Sequence, residues 1–395
     1  MNEAKLTHLT HVEDLVWISG YQGAKDTIKY LEKTLYELKG HNKKDLKTFQ
    51  KVDGAPAVIA GWNPENGKFF VATKSLFNKT PKINYTNEDI DINHGKAREL
   101  SSKLKDALKY LPDVIKKGNI VQGDFMYSKS DLSTEVIENV KGVSFKPNTI
   151  KYFVDASSGL YRTIMASKIG IIFHTTYLGA TIHDLSAVFT INESIFNKSK
   201  DVYFRTTYVK SYDPIDFTSA EYDAYNKSLS GLKTALSKFK KDELSFLTNK
   251  DISVEIQTYI NHKVRNGKSF SKHEITELIN FIMNKYQRAI DKLKTDKAKD
   301  KKTEEQREFI QRIRQSAGTL YYLFKWAEDA RDLKILILDK LNQIQAPETP
   351  YIEKNGKYVV TDPEGYVISN SDESGVKFVN RSVFSAMNFL NNKFK

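Results

Sequence analysis

The 395-residue chain contains no cysteine. That absence excludes disulfides, thiolate metal sites and cysteine nucleophiles together, and it fits a reducing compartment. No run approaches the roughly eighteen apolar residues that a membrane-spanning helix requires. The opening stretch MNEAKLTHLTHVED lacks the apolar core of a signal peptide. A cytoplasmic protein with no membrane partner is the expectation. No Walker A pattern, no G-x-G-x-x-G opening a helix, no H-E-x-x-H and no G-x-S-x-G elbow occurs. The eight histidines show no metal-ligand spacing.

What is present is charge of one sign and aromatic bulk. The formal net charge is +12, with a pI near 9.3. Such a balance favours a polyanionic partner, nucleic acid first, although a solvated lysine-rich surface gives the same balance. With 21 Tyr and 22 Phe the chain can bury a sizeable core, and its length allows two or three domains.

The texture changes twice along the chain. Residues 12–39 carry Val12, Leu15, Val16, Ile28, Leu31, Leu35 and Leu38 at helical spacing. Gly20 and Gly23 interrupt this run, so two helices are expected, with Gly40 as the stop. "APAVIAGW" and "KFFVATKSLF" alternate with period two, and "NPENGK" between them reads as a hairpin turn. Residues 95–117 return to helix. The runs "NIVQGDFMY", "GVSFKPNTIKYFV", "IGIIFHTTYLG" and "VYFRTTYVK" are expected strands, with a short helix near 159–168. From 217 to 346 glycine and proline become scarce and helical spacing dominates. This segment holds 25 Lys and Arg against 18 Asp and Glu, a net +7 and more than half of the total. Within it "DKLKTDKAKDKKTEEQRE" reads as an exposed tip or loose linker. β texture returns after 347. The expected organisation is therefore α+β: residues 1–216 and 347–395 form one sheet-containing domain, interrupted by an all-α basic insertion over 217–346.

One short cluster raises a chemical question. Lys51-Val52-Asp53-Gly54 stands directly before the first hairpin strand. Asp-Gly alone makes an ordinary turn. Yet the chain continues, in order, with "VATKS" (71–75), "VQGDFMY" (121–127), "IGIIFHTTY" (169–177), "EGYVI" (364–368) and "VKF" (376–378). This order resembles the covalent nucleotidyltransferases: ATP-dependent DNA ligases, RNA ligases and mRNA capping enzymes. The similarity covers roughly 45–210 and 350–385 and looks closest to RNA ligases, whose E-G-Y-V form and T-K/S-K strand are similar to what stands here.

The resemblance implies a ligase-type adenylation domain and a role for each matching residue. Lys51 would be the nucleophile, taking AMP from ATP as a phosphoramidate. A free lysine is almost wholly protonated near neutrality, so its environment must allow the neutral form. Asp53 would contact the nucleotide sugar or assist at the metal, and Gly54 would let backbone approach the ligand. Lys74 would reach a phosphate from the second hairpin strand. Asp124 stands where the family usually has glutamate, binding ribose or metal. Phe173 would stack on adenine, and His174, facing the other side of the strand, receives no role. Glu364 would bind the catalytic Mg²⁺ or Mn²⁺ together with Asp124. Lys377 would hold the α-phosphate, where charge builds during transfer. Three departures stand out: aspartate at 124, Val379 where a second lysine is usual, and Pro56 where DNA ligases carry arginine.

Pro56 favours RNA over DNA. DNA ligases also follow the last motif with an OB-fold, and only fourteen residues follow Arg381. The helical segment then becomes the candidate nucleic-acid clamp, touching phosphates without reading sequence. Tyr321, Tyr322, Phe324 and Trp326 read mostly as its core. The expected function is an ATP-dependent polynucleotide ligase. The alternatives are a catalytically decayed nucleotidyltransferase scaffold that binds nucleic acid, and a nucleotidyltransferase with a protein or small-molecule acceptor.

Overall fold

A computed structural model describes residues 9–39, 46–189, 191–209, 215, 217–344, 347–354, 356–370 and 375–381. The expected stop at Gly40 lies outside these residues. The chain is mixed α+β and divides into two compact units. One draws on Met1–Leu9, Lys44–Tyr212 and Ile344–Gly375, the other on Thr10–Lys43, Asp213–Gln343 and Val376–Lys395. The N-terminal helical stretch, read from sequence as part of the sheet domain, is thus grouped with the later helices.

The first unit is built on antiparallel sheets. Its central sheet runs, by hydrogen-bonded neighbours, Ser186–Val188, Ile169–Leu178, Ile120–Ser128, Ala57–Trp62 and Phe69–Ala72. Val202–Thr206 pairs parallel with Ile169–Leu178. The hairpin read from "NPENGK" forms as expected. Gly67 takes φ +67 and its N–H reaches the Asn63 carbonyl at 2.8 Å, a geometry that favours glycine. One face of this sheet buries Val58, Val121, Phe125, Ile171 and Phe173 against Leu104, Ala107 and Leu111 of the helix Arg98–Tyr110. The other face buries Ile59, Phe70, Ile120 and Tyr177.

A second antiparallel sheet orders Lys357–Val360, Thr349–Lys354, Lys151–Asp155, Val140–Phe145 and Ser133–Ile137. The single run expected over "GVSFKPNTIKYFV" is therefore two strands. A further antiparallel pair joins Leu46–Lys51 to Gly365–Asn370.

In the second unit, the helix Leu15–Leu38 is broken where the glycines suggested, with Ser19 and Gly20 in non-helical conformation. Gly20 has φ +55, and a Cβ there would lie 2.7 Å from the Leu244 carbonyl oxygen. Thr218 and Glu221 form a capping box that starts the helix Ser219–Ser237. The charged stretch expected to be an exposed tip or loose linker, residues 291–308, is largely exposed, but from Asp296 on it is ordered into the helix Asp296–Gln315, capped by Thr295. Its Phe309, Ile310 and Ile313 are buried, so one apolar stripe holds a helix that charge alone would leave solvated. Phe324 and Trp326 are core, as expected, whereas Tyr322 is 64% exposed.

Candidate active site around Lys51

The pairing of two strands from opposite ends of the sequence builds the centre. Lys51 ends the strand Leu46–Lys51, and Gly365 stands directly opposite it. Glu364, the preceding residue, therefore arrives beside the lysine, with Nζ to Oε1 at 2.5 Å. Glu364 is buried, while the Lys51 side chain keeps 32% of its surface exposed. Desolvation pulls the amine's pKa down, but the Glu364 carboxylate, helped by Asp124 and Asp53, outweighs it and leaves the amine above its ordinary value. Burial raises the Glu364 carboxyl, against the opposing pull of Lys51.

Asp53 is buried, and its carboxylate is engaged in local structure. It accepts from Asn148 Nδ2 at 2.6 Å, Thr149 N at 2.8 Å and Ile150 N at 2.9 Å. Its own N–H donates to the Tyr152 hydroxyl at 2.8 Å. Asp53 thus pins the 148–150 segment beside Lys51. Gly54 is required by close approach: a Cβ would sit 2.5 Å from Asp124 Cβ and 2.9 Å from Met126 Sδ. It is this tight crossing that brings the Lys51 segment over Asp124.

Asp124 lies in the strand Ile120–Ser128, opposite Ile172, and its charge acts on both Lys51 and Glu364. Phe173 is corrected. It is fully buried, stacked on Phe196 with ring centroids 4.7 Å apart and set edge-on to Phe204. Its strand neighbours on that face are core, so it has no open face for adenine. The residue that turns toward Asp124 is His174, with Nε2 at 3.7 Å from Oδ2.

Lys74 does not lie on the second hairpin strand as expected. The strand Phe69–Ala72 ends before it, and Lys74 is the exposed first residue of a 3₁₀ turn over Lys74–Phe77 whose Leu76 is buried, with Thr73 capping Ser75 N. The Thr-Lys-Ser sequence is used as a turn rather than as a strand. Lys377 lies in the strand Gly375–Phe378, where it pairs in parallel register with His11. It falls in the helical unit, whereas Lys51 falls in the sheet unit. Val379 is buried.

Sequence reasoning missed a buried network next to the strand that ends at Lys51. Arg205 clasps Glu348 through Nε at 3.1 Å and Nη2 at 2.9 Å, and Tyr203 donates to the same carboxylate at 2.5 Å. Arg205 Nη2 also reaches Gln50 Oε1 at 3.1 Å, one residue before Lys51. A polar side chain at alternating spacing in "VYFRT" was the available signal; nothing local marked Glu348.

Among the described residues no group of three or more His, Asp or Glu side chains is arranged to hold a metal. Asp124 and Glu364 nevertheless offer hard oxygens around one amine. Two carboxylates suit Mg²⁺, which keeps water and substrate phosphate oxygens for the rest of its shell.

A family model described as "Family of unknown function (DUF6267)" matches residues 2–393. The chain belongs to this family. No curated protein and no solved structure matches it. The DUF6267 match spans both units, so the Lys51 cluster and the helices alike lie within the family's extent.

Proposed function

We propose that this chain is an ATP-dependent polynucleotide ligase, with RNA favoured over DNA, working through a lysyl-AMP intermediate. The observation that carries this reading is the Lys51–Glu364 pair, with Asp124 in its field. A lysine in a plain turn has no need of a buried carboxylate delivered by a strand from the far end of the chain.

The chemistry follows from the groups present. In the resting pair the proton stays on Lys51, because Glu364, Asp124 and Asp53 all favour the ammonium. Attack on the α-phosphorus requires its transfer, and Glu364 Oε1 is in hydrogen-bond reach to take it. The N–P bond then forms as the bond from the α-phosphorus to the pyrophosphate oxygen breaks. AMP passes from Lys51 to a 5′-phosphate, and a 3′-hydroxyl displaces it to close the strand. Asp124, with the second carboxylate oxygen of Glu364, would hold Mg²⁺ or Mn²⁺ in the complex before the proton moves, and the ion would supply positive charge to the phosphate oxygens when bound. Asp53 and Gly54 keep the Lys51 segment in place.

Incubation with α-labelled ATP and Mg²⁺ tests the reading. Wild type acquires an acid-labile label and Lys51→Ala acquires none. An unlabelled wild type, or label persisting in the variant, defeats it. The second reading, a decayed scaffold that binds nucleic acid, is favoured by the buried Phe173 and by Lys74 lying in a turn. It requires salt-sensitive binding with no adenylate.

A further inference from the structure

The strand Ile169–Leu178 carries an irregularity that period-two alternation does not anticipate. Its register against Ile120–Ser128 pairs Gln122 with Thr175 but Gly123 with Phe173. His174 is the extra residue of a β-bulge. The bulge exchanges the strand's faces. Ile169, Ile171 and Phe173 sit in one core cluster, while Tyr177, of the same parity, sits in the other. His174 and Thr175 consequently share the face of Asp124 and Gln122. His174 Nδ1 lies 2.7 Å from Thr175 Oγ1, a hydroxyl that is itself buried, and Nε2 points to Asp124 Oδ2 at 3.7 Å.

Alternation already puts His174 on the face that Ile172 shares with Asp124, a carboxylate that acts on Lys51, and the bulge brings the Thr175 hydroxyl onto that same face beside the imidazole. A Thr175 hydroxyl that donates to Nδ1 leaves the neutral ring with its proton on Nε2, facing Asp124. At 3.7 Å the contact is electrostatic rather than a direct hydrogen bond. Its effect is to favour one orientation of the carboxylate, as outer partners do for reacting groups.

We propose that His174 is a positioning residue that holds the Asp124 carboxylate toward the Lys51 amine, with Thr175 fixing the imidazole. Its part in adenylation rests on the nucleotidyl-transfer reading above; the His174–Asp124 arrangement does not.

Two measurements test it separately. In adenylation with α-labelled ATP, His174→Ala lowers the rate at saturating ATP by about tenfold, a coupling of ordinary size for touching groups. The apparent KM for ATP stays nearly constant, and His174→Asn restores part of the rate through its amide donor. In an Asp124→Asn background His174→Ala adds little. An equal loss in both backgrounds overturns the positioning role, because a merely structural histidine does not couple to Asp124. Ring-nitrogen NMR, taken where the imidazole is neutral, reads the tautomer without any substrate. Wild type shows the proton on Nε2, and Thr175→Val mixes the two forms. A proton on Nδ1 in wild type overturns the arrangement. A wild type that takes no label but shows the Nε2 tautomer removes the adenylation reading and the role built on it, while the local geometry stands.

Discussion

Replacing Asp53 by alanine separates a scaffolding carboxylate from a ligand-binding one. Three donors converge on it, at 2.6, 2.8 and 2.9 Å, two of them backbone amides of Thr149 and Ile150. Hydrogen bonds to a charged acceptor contribute roughly 1.5–3 kcal/mol each, and donors sharing one acceptor do not add in full. Asp53→Ala should therefore cost the segment about 3–5 kcal/mol. Asp53→Asn is milder, near about 1 kcal/mol, because its oxygen can still face the two amides while the Asn148 amide turns to accept. Amide hydrogen exchange at Thr149 and Ile150 reads the effect locally, which matters in a chain of two units whose global unfolding need not be two-state. At about 1.4 kcal/mol per tenfold, the alanine variant should exchange more than about a hundredfold faster and the asparagine variant about five- to tenfold faster. Unchanged exchange in Asp53→Ala, with loss of ATP labelling, would refute the scaffold argument and return Asp53 to the ligand.

Glu348→Gln tests the network beside Gln50. Arg205 would lose its bidentate partner while remaining largely buried, a loss expected to cost about 3–5 kcal/mol, read as a lower calorimetric transition for the sheet unit. A cost below about 1 kcal/mol would mean that the buried pair is not structural. In the helical unit, Asp14 pairs with Arg381 at 2.8 Å, and burial raises its pKa from 3.8 to about 6. A folded-state value above the unfolded one means that the native state binds the proton more tightly. Its stabilising contribution is complete below about pH 4 and is lost as pH rises through about 6, up to about 3 kcal/mol in all. Asp14→Asn should remove this slope from denaturant unfolding measured across that window; an identical slope in the variant would refute the assignment.

Much of the element list was legible because it is encoded locally. Turn chemistry gave the Asn63–Gly67 hairpin, and helical spacing gave the helices after 217 as well as the N-terminal helix broken at Gly20. Motif order placed Lys51 and Glu364 in one hypothesis, and the structure brings their side chains together. The failures share a cause. Phe173 and His174 differ in fate because alternation puts them on opposite faces, and only the pairing with Ile120–Ser128 decides which face is core and which meets Asp124. Lys74 followed a strand pattern that ended two residues early. Glu348 carried no signal, since its burial depends on meeting Arg205 from a distant strand.

By itself, then, the sequence determined the α+β character, the positions of most strands and helices, and the basic surplus of 217–346, because each follows from short-range periodicity, turn residues or composition. Tertiary structure alone decided that Gly365 stands opposite Lys51, that Gly54 packs on Asp124, and that His174 rather than Phe173 turns to the site. Strand register and close packing couple residues hundreds of positions apart, and no local pattern carries that information.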